Sequence, residues 1–162
     1  MPSESAIMSS AAEARFRVQA PNSTPRTVTV IALDAASEPV VRRLADQTWN
    51  RASFLVAAPV PSAENSGLRD LAGQPLTLDD QVAAADLIVM VASAGGQAEA
   101  ATAIGQASSA QRVMTTALII ETATASDAAL ARTLAQVRPW SLMVVLADAD
   151  DYIEDMLRAL RA

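Results

Sequence analysis

A chain of 162 residues, 51% of them hydrophobic, has the size and apolar content of one ordinary globular domain, and its net charge of −6 argues against nucleic acid, whose phosphate backbone selects a basic face. All 12 basic residues are arginine, and Lys, His and Cys are absent. That removes thiolate and disulfide chemistry, imidazole acid–base catalysis, Walker and Schiff-base lysines, and every His or Cys metal site.

Carboxylates, hydroxyls, backbone N–H groups and arginine remain available for chemistry. The longest apolar runs, such as 87–92 and 117–120, are far below the roughly 20 residues that span a bilayer. The opening MPSESAIMSSAAEARFRVQA breaks every apolar run with Ser, Glu or Arg, so neither a secretory signal nor a membrane partner is expected and the expected address is cytoplasmic. Phe16, Trp49, Phe54, Trp140 and Tyr152 are too few for a base-stacking platform.

Residues 1–25 are rich in Ser, Ala and Pro without a sustained period, and read as a disordered leader ahead of a single α/β domain over 26–162. A short helix over Ser9–Val18, docking Phe16 and Val18, is the alternative. The first core strand is Arg26–Leu33, β-branched and bounded by Pro25. Asp34 follows it. Ser37 then reads as an N-cap, with Glu38 and Pro39 in the first turn of a helix that carries Val40, Val41, Leu44 and Thr48 at helical spacing. Ala52–Ala57 is the second strand. Pro59, Pro61 and Pro75, with Gly67 and Gly73, mark 59–75 as the long loop, and Thr77 caps a short helix to about Ala84.

The centre of the chain is one βαβ unit: a strand Asp86–Ala92, a glycine turn Ser93–Gln97, an alanine-rich helix to Gln111 and a strand Val113–Glu121. Strands apolar on both faces and joined through a helix indicate a parallel sheet covered on both sides. Ser126 caps a helix bearing Leu130, Leu134 and Val137, and Pro139 closes it. Ser141–Ala147 is the fifth strand. The last helix opens at Asp150 with an Asp151–Glu154 capping box and places Ile153, Met156, Leu157 and Leu160 on one face. The expected fold is therefore a three-layer doubly wound (Rossmann/flavodoxin-like) α/β domain. Its five-stranded parallel sheet has the order 2-1-3-4-5, centred on Val30, Ile88, Val89, Ile119 and Val145.

That order places the switch point between strands one and three, so Asp34–Ser37 and Ser93–Gln97 face one crevice. Candidate ligand-binding residues are Asp34, Ser37, Ser93, Gly95, Gly96, Gln97, Glu121 and Asp148, with Thr122 at the same sheet edge. The glycine turn has two readings: N–H groups that receive a phosphate or carboxylate, or glycines that only make the turn sharp. Asp34, Glu121 and Asp148 likewise read as hard-cation ligands or acid–base groups, or as acids favoured at helix N-termini by the dipole. With Glu99, Asp34 and Asp148 acidify the mouth, so a neutral or cationic group, or an anion carried with Mg²⁺, is expected there. Asp34 with Asp148 suggests a phospho-acceptor site that lacks its lysine. Trp49 and Trp140 are expected at core edges.

Ala85-Asp86-Leu-Ile-Val-Met-Val-Ala-Ser-Ala-Gly95-Gly96, then Ala100-Ala101 and the strand Thr116–Ile120, is similar in order and spacing to the nucleotide-binding half of the FtsZ/tubulin family. The tail Trp140–Leu157 resembles that family's next strand, turn and helix, so the resemblance covers about 80–157. It implies a GTP-type nucleotide site with Mg²⁺ around Gly95 and Gly96. The chain departs from the family in its loop, Gly95-Gly96-Gln97-Ala98-Glu99, which holds an acid in place of the Gly and Thr run. It departs again at Asp34-Ala35-Ala36-Ser37, which has no glycine, and it has no room for the half that completes hydrolysis. The resemblance thus implies a shortened relative without GTP turnover. Together these features lead to a non-catalytic accessory or regulatory module that acts by binding a protein partner or a second copy, its alanine-rich helix 98–110 suited to close packing. The alternative is a small-ligand or nucleotide-binding protein with weak hydrolysis through Asp34 and Mg²⁺.

Overall fold

The computed structural model describes residues 25–58 and 67–162. The leader expected over 1–25 thus lies outside the described residues, apart from Pro25. In chain order the elements are β1 (Val28–Ala32), α1 (Glu38–Ala45), β2 (Ala52–Ala57), β3 (Leu68–Asp70), β4 (Pro75–Leu76), α2 (Leu78–Ala83), β5 (Leu87–Ser93), α3 (Ala100–Gln111), β6 (Met114–Ile120), α4 (Asp127–Val137), a 3₁₀ turn (Arg138–Trp140), β7 (Met143–Leu146) and α5 (Asp150–Ala159).

The sheet is seven-stranded and mixed, in the order β4-β3-β2-β1-β5-β6-β7, which corrects the expected five-stranded, wholly parallel sheet. Strands β2, β1, β5, β6 and β7 pair in parallel, while β3 pairs antiparallel with both β2 and β4. The two added strands fall in the segment expected to be loop. Gly67 and Gly73 bound β3 in left-handed conformations, and Asp70 closes the β3–β4 turn by accepting the N–H groups of Ala72 and Gln74. Strands of three and two residues are too short to show a period of two, so the turn residues dominated the pattern.

Successive residues of the inner strands go to opposite faces, as a period of two requires. Ile31, Ile88, Met90 and Ile119 pack with Val82 of α2, Ile104 of α3 and Val137 of α4. Val28, Val30, Val89 and Leu118 pack on the other face with Val41 and Leu44 of α1 and Ile153 and Leu157 of α5. Val30, Ile88, Val89 and Ile119 are fully buried, but Val145 is only half-buried because β7 ends the sheet. Trp49 seals one margin, donating Nε1–H to the Leu44 carbonyl at 2.7 Å beneath the Arg158 guanidinium.

Three local expectations change. Ser37 is not the N-cap by side chain: Asp34 Oδ1 accepts the Ser37 N–H at 2.8 Å and the Ser37 hydroxyl accepts the Asp34 N–H at 3.3 Å, a reciprocal box one turn earlier. Helix α3 begins at Ala100 and not near Gln97. In α5 the Glu154 carboxylate is held by Arg158 at 2.7 Å, and no side chain caps the helix. Ser126 caps α4 as expected, accepting the Ala129 N–H at 3.2 Å.

Candidate functional site

The loops that leave β1 and β5 diverge, since β1 leads through α1 to β2 on one side and β5 leads through α3 to β6 on the other. An open α/β sheet leaves a crevice where adjacent connections diverge in this way. Here it is a cavity of about 780 Å³, within the size range of small-ligand sites. Its floor and walls are apolar, from Leu33, Val56, Leu68, Leu78, Ala100 and Ile104. Its rim carries Asp34, Glu38, Asp70 and Glu99 with Arg42 and Arg69, so acids outnumber arginines.

Of the candidate residues, the structure brings Asp34, Ser93, Gly96 and Gln97 into this crevice. Asp34 is its structural centre. Its Oδ2 accepts the Ser93 N–H at 2.8 Å and the Ser93 hydroxyl at 3.0 Å, while Oδ1 holds the Ser37 N–H. The carboxylate thereby ties the end of β1 to the end of β5. Gly96 lies against it: a Cβ there would run into the Asp34 carboxylate and the Ser93 hydroxyl. The glycine permits that close approach. Ser37 is fully buried and shapes the Asp34 loop without lining the cavity.

Gly95 does not line the crevice: its φ is +86°, a Cβ added there would crowd the Ala129 side chain, and it donates its N–H to Thr133 Oγ1 at 2.9 Å. Most donors of the glycine turn are used internally. Gly96 bonds the Ser93 carbonyl, Ala94 the Ile120 carbonyl and Ala98 the Gln136 side chain. Among the described residues, the backbone N–H groups of Gln97, Glu99 and Ala100 have no internal acceptor, and all three residues line the cavity. The open donors therefore lie at the start of α3, later than the glycine pair.

Glu121 and Asp148 do not reach the crevice, which corrects the expectation of three carboxylates in one mouth. Asp148 Oδ1 accepts the Thr122 N–H at 2.6 Å and Oδ2 the Thr122 hydroxyl at 2.7 Å, joining β6 and β7. The Thr122 hydroxyl above all, with the N–H groups of Thr122 and Ala123, holds this carboxyl below its ordinary value of 3.8, against an opposing effect of burial that exceeds either N–H contribution. Glu121 is exposed at the end of β6 with φ +58°. No group of three or more acidic side chains suited to a metal ion occurs among the described residues, so Asp34, Glu121 and Asp148 do not form a cation site together. Asp148 does not line the crevice that holds Asp34, so the expected phospho-acceptor pair is not assembled there.

Sequence reasoning missed Arg42, Arg69, Leu68 and Leu78. Arg42 reaches the rim through its ion pair with Glu38, 2.7 Å, and its bond to the Leu71 carbonyl, 2.9 Å. Arg69 arrives on β3, with Leu68 buried and Arg69 exposed, but three residues are too few for that alternation to be read from the sequence. Gly105 of α3 serves an internal contact, because a Cβ there would strike Trp140.

No model of a known protein family matches the chain, and a search of characterised proteins finds no match either. Among the described residues no helix is long and apolar enough to cross a membrane.

Proposed function

We propose that this chain is a non-catalytic α/β accessory or regulatory module that works by binding, and that the switch-point crevice is its small-ligand site. The observation that supports this reading is a cavity whose interior is apolar and whose polar groups are largely tied to one another. Asp34 is committed to Ser37 and Ser93, Glu38 to Arg42, and Asp70 to its own turn. Such groups stiffen walls and leave apolar contact as the main source of affinity. The excess of acids on the rim favours a ligand with an apolar body and a neutral or cationic group. The cysteine count offers no support for an extracellular address, and the cytoplasm is the default that this reading keeps.

A second reading follows the FtsZ/tubulin resemblance: a degenerate, GTP-type nucleotide site whose anion arrives with Mg²⁺. The open N–H groups of Gln97, Glu99 and Ala100 at the head of α3 favour it. A thermal-shift screen of amphipathic amines and of nucleotides with and without Mg²⁺ separates the two. A ligand at 100 times its dissociation constant adds about 2.7 kcal/mol of apparent stability. Ala103, exposed on the α3 wall, is the residue to enlarge: Ala103→Trp should fill the crevice, keep the fold and remove the shift. An unchanged shift in that variant places the ligand elsewhere.

A further inference from the structure

The two ends of the sheet are built differently. β4 closes one end with two residues, the first a proline, which is how edges are commonly blunted. β7 closes the other with Met143–Leu146, a stretch without charge or proline. The large hydrophobic side chains exposed among the described residues are Met114, Leu142, Met143, Leu146 and Tyr152. Met143 and Leu146 lie on β7, Leu142 immediately before it, Met114 on neighbouring β6 and Tyr152 just after it in α5. Leu142 is 78% exposed and Leu146 50%. Among the described residues no strand pairs with the outer side of β7, and an apolar edge of this kind is a template for another strand.

We infer that β7 is a self-association edge, pairing antiparallel with β7 of a second copy of this chain. The charges flanking the strand carry the choice of occupant. Arg138 stands just before β7, and Asp148 and Asp151 just after it, all exposed. Antiparallel pairing sets the basic end of each strand against the acidic end of the other, whereas parallel pairing sets like charges together. In the register centred on Val144, Leu142 faces Leu146 of the second copy on the same side of the sheet, since residues two apart share a face. The same patch serves both copies, and the blunted β4 end prevents further growth, so the assembly closes at two. This surface lies apart from the crevice, and its use does not depend on what the crevice binds.

Sedimentation equilibrium of the full chain over a micromolar concentration series tests it. The expected mass is twice that of the 16.9 kDa chain. Leu142→Lys, at an exposed position, should raise the dissociation constant by at least about tenfold while leaving the far-UV circular dichroism and melting profile of the monomer intact. Arg138→Asp should weaken pairing, and adding Asp151→Arg to it should restore pairing. A monomer at every concentration overturns the inference. So does an assembly larger than two, a dimer indifferent to Leu142→Lys, or an Arg138→Asp defect that the second change fails to repair.

Discussion

Asp34 and Asp148 form the same kind of clamp in two places, a carboxylate at the end of one strand that accepts both the N–H and the hydroxyl of a Ser or Thr at the end of its neighbour. Around Asp34 the chain diverges to the two sides of the sheet, β3 adds a third wall, and Gly96 covers the carboxylate; a cavity results. Around Asp148 the crossover from β6 leads straight into β7, and the clamp is exposed at the flank. The same pair of donors, an N–H and a hydroxyl on one carboxylate, therefore belongs to a site in one place and to a simple joint in the other. The direction in which the chain leaves the strands decides which.

The contrast between centre and flank is sharpest in the strands themselves. Truncating fully buried Ile88 to Ala on β5 should cost about 2–5 kcal/mol, measured by urea denaturation. Val145→Ala on half-buried β7 should cost clearly less, and equal losses would mean that β7 is as enclosed as β5.

A smaller effect distinguishes the clamps. Asp34→Ala leaves the Ser93 N–H, the Ser93 hydroxyl and the Ser37 N–H without their acceptor in a partly buried position, and should cost about 1–3 kcal/mol. It should also weaken whatever the crevice binds, because the β1 and β5 loops lose their tie. A variant that melts like the parent would show that the clamp is dispensable.

The smallest change belongs to Asp148, and its signature is pH dependence. Its carboxyl is held below 3.8 in the folded protein, chiefly by the Thr122 hydroxyl. A depressed folded value stabilises the protein fully above the unfolded value, and that stabilisation is lost as the pH falls below 3.8 through the folded value. The parent should therefore be more stable than Asp148→Asn at neutral pH and converge with it in acid. Parallel denaturation curves at neutral and acid pH would remove Asp148 from the account of acid sensitivity.

The sequence alone determined the inner strands, because Ile88, Val89, Ile119 and their neighbours form runs too apolar to lie anywhere but inside a sheet covered on both faces. It located Asp34, Ser93, Gly96 and Gln97 at one crevice as well, since the order of βαβ units dictates which strand ends are adjacent. It did not reveal β3 and β4, whose few residues carry no period and whose bounding glycines read as loop. It also could not show that Asp34 is consumed by hydrogen bonds, that Gly96 exists to admit that carboxylate, or that Glu121 and Asp148 stand apart from the crevice. Those facts depend on distances between residues dozens of positions apart, such as the 59 that separate Asp34 from Ser93, and only the folded chain fixes such distances.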